Sequence, residues 1–278
     1  MIVEFIGMPG AGKTTLLAMV RDHLRESGIH AYSPLEASRM FAQRTTAGWM
    51  VSRLFPQSWQ RPLLWQVYYH MSSLHGCGFL ARRPRLAWEV FHSQRHRPAA
   101  AQARERRVLH WFFRNAGSYQ FLKGALRPDE ALLLDEGFVH RVVQLHVSAV
   151  EEPDGARIAT YIDLLPRPDL VIHVRAPKEV CLQRIYGRGL WELYRGRDPA
   201  CVASFVEHAG MTVEMAVTHL KRKGWLVVAV DNDGDGLAAV ERDMRGRLAG
   251  VLMVGHVKSR LSCAGDPAVD AVRGQTVS

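Results

Sequence analysis

The stretch that most constrains the chain is Gly7-Met8-Pro9-Gly10-Ala11-Gly12-Lys13-Thr14, which fits the spacing GxxxxGK[ST] without a gap. It follows an apolar run, Ile2 to Ile6, and precedes a segment, Thr14 to Leu24, that sets Leu16, Leu17, Val20 and Leu24 on one helical stripe. Strand, glycine loop and helix in that order turn backbone N–H groups inward around phosphate oxygens and aim the positive end of the helix dipole at them. Gly7, Pro9, Gly10, Ala11, Gly12, Lys13, Thr14 and Thr15 form the expected nucleotide-binding set. Lys13 suits the β and γ phosphates of a bound nucleotide, Thr14 supplies a hydroxyl to Mg²⁺, and Thr15 packs or caps.

Composition bounds the rest. The 278 residues carry 36 Lys+Arg against 27 Asp+Glu, a net charge of +9, and 47% hydrophobic residues, which excludes wholesale disorder and leaves room for one large core. Cys77, Cys181, Cys201 and Cys263 lie far apart in no metal-ligand spacing, so a reduced, cytoplasmic protein without structural zinc is expected. The apolar start lacks a basic segment before it, and no run approaches the roughly 18 apolar residues of a membrane span, so neither a signal peptide nor a span is expected.

Further strands are expected at Ile29 to Leu35, ending near Pro34, and at Leu132 to Leu134, Leu170 to Val174 and Trp225 to Val230. Helices are expected at about 178–188, 199–222 and 236–249, and the span from about Arg39 to Leu126 reads as a helical insertion broken at Pro56, Pro62, Pro84 and Pro98. Apolar strands alternating with helices predict an α/β three-layer sandwich around a central parallel sheet, with the insertion between the second and third strands. A single domain over 1–254 is expected, with a loosely ordered tail over 255–278.

The segments FIGMPGAGKTT, LLLDEGFVHR at 132–141, PDLVIHVRAPKEVCLQRIYGR at 168–188 and VVAVDNDGD resemble the P-loop nucleoside and nucleotide kinase superfamily, especially its thymidylate-kinase-like and deoxynucleoside-kinase-like branches. The resemblance implies a P-loop NTPase fold and transfer of the γ-phosphoryl group of ATP, with Mg²⁺, to a small hydroxyl or phosphate acceptor. It implies that Asp135 serves Mg²⁺ or orients the acceptor, that Glu136 and Arg141 face the acceptor, and that Glu36 after the second strand is the base toward the acceptor hydroxyl. Many members carry Arg where Glu136 stands, and the usual Pro after the base is Ala37 here. A lid over about 184–198 would bring Arg184, Arg188, Arg195 and Arg197 over the phosphates on a loop jointed by Gly187, Gly189 and Gly196.

The insertion matches no known pattern. Arg82, Arg83, Arg85, Arg95, Arg97, Arg104, Arg106 and Arg107, interleaved with Trp88, Phe91 and Trp111, suit a solvated helical face, a phosphorylated acceptor, nucleic acid or an anionic membrane surface. Its aromatic residues suit a pocket or a homodimer interface equally. A sugar, an antibiotic or another metabolite stands beside nucleosides as acceptor, and a nucleotide-dependent regulatory ATPase is the alternative outside kinase chemistry. The 13 His form no HExxH pair, and no GxSxG nucleophile motif is present.

Overall fold

Strand β1 (Ile2–Gly7) is buried at all six positions, as a run apolar at every position but Glu4 predicts for a strand covered on both faces. It lies at the centre of a five-stranded sheet with β2 (His30–Tyr32), β3 (Glu130–Leu134), β4 (Leu170–Arg175) and β5 (Val227–Asp231), in the order β2-β3-β1-β4-β5. Every pairing is parallel: Ile2 is opposite Leu132, Val3 is opposite Leu170, and Val171 is opposite Val227. The structure, a computed structural model, describes residues 1–95, 102–190, 195–233 and 236–263.

This is the expected α/β sandwich. Helix α1 (Lys13–Glu26) turns Leu16, Leu17, Val20 and Leu24 inward, and one large core joins these to Phe5, Ile6, Leu133, Ile172 and Val206. The chain moves to one side of β1 to build β2 and β3, then crosses to the other side for β4 and β5. The crevice beyond the C-terminal ends of β1 and β3 is therefore where ligands bind in sheets of this kind.

The second strand is shorter than expected and stops at Tyr32. Ser33 caps a helix instead, α2 (Pro34–Gln43), with Pro34 in its first turn and a capping box between Ser33 and Glu36. Proline presets the helical φ and loses no needed N–H at that position, and Ser-x-x-Glu is the sequence form of the box, so the local signals favour helix over strand. Glu36 consequently stands inside a helix rather than beyond a strand end.

The insertion is helical, as expected, and begins at Pro34 rather than at Arg39. After α2 come α3 (Thr46–Leu54), α4 (Gln57–Arg82), α5 (Pro84–Arg95) and α6 (Gln102–Ala125). Pro56 caps α4 and Pro84 opens α5, whereas α4 passes through Pro62; Pro98 lies outside the described residues. A second core of Ala37, Phe41, Leu64, Tyr68, Phe121, Leu122 and Leu132 fastens α2, α4 and α6 to β3. Two short helices, α7 (Arg141–His146) and α8 (Gly155–Leu164), fill the path from β3 to β4.

Helix α9 (Lys178–Arg188) comes after β4 as expected and contains Gly187, so Arg184 and Arg188 stand one turn apart on a helix, and the loop starts at Gly189. Gly189 and Gly196, with φ of 91° and 74°, bound the segment between α9 and α10, of which residues 191–194 lie outside the described set. Helix α10 (Pro199–Arg222) precedes β5, and α11 (Leu237–Cys263) runs past the expected domain end near Gly255; residues 264–278 lie outside the described set.

One ion pair ties insertion to sheet. Arg44, which ends α2, grips both carboxylate oxygens of the buried Glu130 at the start of β3, the Nη1 to Oε2 contact being 2.8 Å, and the Arg127 N–H donates to the same carboxylate at 3.0 Å. Arg44 keeps contact with water, but removing it leaves the buried Glu130 carboxylate without its charge partner. Arg44→Ala should cost about 1 to 3 kcal/mol in urea unfolding, and Arg44→Ala/Glu130→Gln should recover part of the loss.

Candidate functional site

The glycine loop closes over the C-terminal end of β1. Ala11 N–H donates to the Met8 carbonyl at 3.1 Å, and Gly10 and Gly12 adopt φ of 83° and 93°. A Cβ on Gly10 would lie 2.5 Å from the Cys181 carbonyl oxygen, and one on Gly12 would lie 2.2 Å from the Asn232 amide nitrogen, so sterics and backbone both demand glycine.

Helix α1 starts at this loop with Gly12 as its cap and no side chain on its leading N–H groups. Ser33, Thr45, Asp154 and Asp198 cap α2, α3, α8 and α10, whereas α4, α7 and α9 share the uncapped start of α1 without a glycine loop before it. The first turn of α1 thus leaves donors for an anion, with Thr14 and Thr15 exposed beside them.

Lys13 folds back onto the loop, its ammonium donating to the Gly7 and Met8 carbonyls at 3.1 and 3.0 Å. Burial lowers its pKa to about 8; the carboxylates of Glu136 and Asp135 pull upward, while the charge of Arg188 adds to the depression. Lys13, Asp135, Glu136 and Arg188 therefore share one electrostatic neighbourhood. Arg184 braces the loop from the other side, donating to the Gly10 and Ala11 carbonyls at 3.4 Å and to Asn232 Oδ1 at 3.2 Å. The Asn232 amide completes the brace at 2.7 Å from the Ala11 carbonyl. Arg195 donates to the Leu190 carbonyl at 3.4 Å, and Arg197 is exposed.

Opposite the loop, β3 ends in Asp135-Glu136-Gly137. Gly137 passes so close to β1 that a Cβ there would lie 2.4 Å from the carboxyl carbon of Glu4. Glu4 is wholly buried in the middle of β1, and its Oε2 accepts the Val139 N–H at 2.7 Å. Tyr161 Oη donates to the adjoining Phe138 carbonyl at 2.9 Å. Burial lifts the Glu4 pKa to about 7 against the opposing pull of the Val139 and Phe138 N–H groups and the charge of Arg141. Glu4 Oε1, Tyr119 Oη and Arg141 Nε are buried here without a hydrogen-bond partner among the described residues.

Arg141 pairs with Glu136 at 3.3 Å, bonds Gln144, and lies 5.6 Å over the Trp111 ring. The acid at 136 is thereby matched by an arginine five residues on. Between this pair and the insertion opens a two-lobed cleft, its inner lobe of about 130 Å³ against Asp135, Tyr119 and Leu122, and its outer lobe of about 300 Å³ against Trp65, Tyr68, Trp111 and Arg114. Pro34, Asn115, Ser118, Glu136 and Arg141 line both.

Of the expected residues, the structure brings the glycine loop, Lys13, Asp135, Glu136, Arg141 and Arg188 to one end of the sheet. Glu36 is not among them. Its carboxylate accepts from Ser33 N at 2.8 Å and Ser33 Oγ at 3.0 Å and lies 3.7 and 3.6 Å from Arg21 and Arg25, outside both lobes, so the capping box takes the group assigned as base. Glu4 and Asn232 carry structural roles that sequence reading missed. The signal for Glu4 was a lone acid in IVEFI, and that for Asn232 was its position just after the last strand.

No family model and no curated protein matches the chain. Among solved structures, deoxyadenosine kinase from M. mycoides with bound dCTP is similar at a TM-score of 0.46 and 13% identity, covering 90% of this chain and all of that one. The same kinase with products dCMP and dCDP gives a TM-score of 0.41 and 14% identity over the same shares. This chain's own sheet order and glycine loop define an α/β three-layer sandwich of the P-loop NTPase type.

The Glu4 carboxyl makes stability depend on pH. Because its folded pKa of about 7 exceeds the usual 4.5, the native state holds a proton that the unfolded chain has released. The group's contribution is complete below about pH 4.5 and is lost as pH rises to about 7, a fall of about 3 kcal/mol. Chemical denaturation of wild type and Glu4→Gln across this window should find the variant's profile flatter by that amount.

Proposed function

We propose that this protein is an ATP- and Mg²⁺-dependent kinase that phosphorylates a small acceptor with a flat ring, of the nucleoside or nucleoside monophosphate type. The observation that carries this reading is the convergence of a phosphate-ready helix N-terminus, Lys13 and an aromatic-walled cleft at one edge of the sheet, with Asp135 and Glu136 between them.

The loop N–H groups and Lys13 bind the donor phosphates. In the free protein the Lys13 ammonium rests on loop carbonyls, and triphosphate oxygens would replace these as its partners. Among the described residues no three His, Cys, Asp or Glu side chains cluster as a metal site. The oxygen donors Thr14 and Asp135 suit Mg²⁺, which keeps one or two protein ligands alongside phosphate oxygens. When bound, Mg²⁺ supplies neutralisation of charge on the β and γ phosphates.

Trp65 and Trp111, both partly exposed where they line the outer lobe, offer aromatic surface to a planar acceptor, and Arg114 and Arg141 offer charge to an anionic one. Asp135 orients the acceptor hydroxyl, and Glu136, tied to Arg141, fixes the mouth of the cleft. Arg184 acts as a positioning residue, holding the loop's carbonyl side so that its N–H groups face the donor. Arg188 adds positive charge near Lys13. Catalysis on this reading is positioning plus charge stabilisation.

The test is ATP consumption with Mg²⁺ across nucleosides, nucleoside monophosphates, sugars and aminoglycoside-like alcohols, with mass detection of product. Lys13→Ala should lose about 100- to 1,000-fold of acceptor-dependent turnover at an unchanged Tm, and Trp111→Ala should raise the acceptor KM more than it lowers kcat. ATP hydrolysis indifferent to every acceptor but stimulated by nucleic acid or a protein would replace the kinase reading with a regulatory one.

The depressed Lys13 pKa adds a second check. Phosphate charge favours its ammonium form, so ATP binding near pH 8.5 should take up protons, seen as a calorimetric enthalpy that varies with the buffer's ionisation heat. Lys13→Ala should abolish the part due to this group.

A further inference from the structure

The corner where α3 turns into α4 inverts the usual pattern of a surface helix. Along α3 the buried residue is Gly48, while Trp49, Met50, Arg53 and Leu54 share the outward face at i, i+1, i+4 and i+5. The exposed apolar row continues through Phe55 and Pro56 at the turn to Trp59 in the first turn of α4, with Leu54 68% and Trp59 62% exposed. Five large apolar side chains thus stand outward within eleven residues, Trp49 to Trp59, and none of them lines the cleft.

The charge around them has one sign. No Asp or Glu occurs between Glu36 and Glu89, whereas Arg39, Arg53 and Arg61 are exposed and form no ion pair among the described residues. Helix α3 packs against α2 and α4, and the one acid these three helices contribute, Glu36, is held by Ser33, Arg21 and Arg25 at the far end of α2.

We propose that the α3–α4 corner docks the protein peripherally on an anionic lipid bilayer, with Trp49, Leu54, Phe55 and Trp59 entering the headgroup region and Arg53 and Arg61 meeting lipid phosphates. Trp with Leu or Phe on one face and arginine at its border is the composition of interfacial binding, in which apolar burial and attraction to anionic lipid add. No described helix is long and apolar enough to cross a membrane, so the contact is with the surface. A second copy of the chain suits this face poorly: a two-fold interface would set Arg53 and Arg61 against their own images with no acid to offset them. The aliphatic Met50 and Leu54 between the two tryptophans favour acyl chains over nucleic-acid bases, which stack on ring faces.

Sedimentation with vesicles of phosphatidylcholine alone and with about 30% phosphatidylglycerol tests the proposal, using the full chain. Binding should need the anionic lipid, fall by roughly tenfold or more between 0.1 and 0.5 M salt as charge is screened, and blue-shift the tryptophan fluorescence. Arg53→Gln and Arg61→Gln should each weaken it about fivefold. Trp49→Ser/Trp59→Ser should abolish it with circular dichroism and Tm unchanged, since both side chains project into solvent. No binding to anionic vesicles overturns the proposal. So does vesicle binding that survives the double Trp change. Self-association by analytical ultracentrifugation, or binding of single-stranded oligonucleotides, that is lost in the double variant while vesicles are ignored would assign the corner to a second copy or to nucleic acid instead.

Discussion

Parallel pairing of β1 with β3 on one side and β4 on the other is the constraint on which the rest of the molecule hangs. The register sets Gly7 against Val174 and Glu4 against Leu134, so the loops leaving β1 and β3 emerge on the same edge. Everything chemical about the site derives from that edge. The uncapped start of α1, the folded-back Lys13 and the Asp135-Glu136 turn come within electrostatic reach although the turn lies far from the other two in sequence. Burying Glu4 in the same strand costs solvation, and the cost is partly offset where its carboxyl receives the Val139 N–H and fixes the descent of the 137–141 turn.

The insertion is a separate structural problem solved with the same tools. Five helices leave the sheet after β2, and they return because Phe41, Tyr68, Phe121 and Leu132 make a second apolar cluster and Arg44 reaches the buried Glu130. Tyr68 gives both its ring to this cluster and its hydroxyl to Ser118 at 2.7 Å, at the wall of the cleft. Packing that stabilises the insertion and packing that shapes the acceptor lobe are therefore the same contacts. Core substitutions at Tyr68 or Leu122 would register in both.

Much of this was legible in the sequence. Long apolar strands and a gapless GxxxxGK[ST] spacing carry enough information to specify a parallel α/β sheet with a phosphate loop, because both depend on neighbours within a few residues. The error at Glu36 came from weighing Ile29 to Leu35 as a β run when Ser33-Pro34-Leu35-Glu36 already spelled a helix start. The helix expected at about 178–188 is α9, which carries Arg184 and Arg188 one turn apart and ends at Gly189. Glu4, Asn232 and the aromatic lobe were beyond local reading, since each acquires meaning from residues more than a hundred positions away or from which face of α4 and α6 turns toward β3.

The brace of Arg184 and Asn232 against the glycine loop has a consequence for how the chain matures. The Ala11 carbonyl waits for an amide 221 residues further along, and for a guanidinium 173 residues further along, before its surroundings are complete. Contacts of such separation form late, after the loop-closure entropy of the intervening chain has been overcome. During synthesis the glycine loop thus emerges well before its brace, and a nascent chain lacking β5 holds a glycine loop with one wall missing.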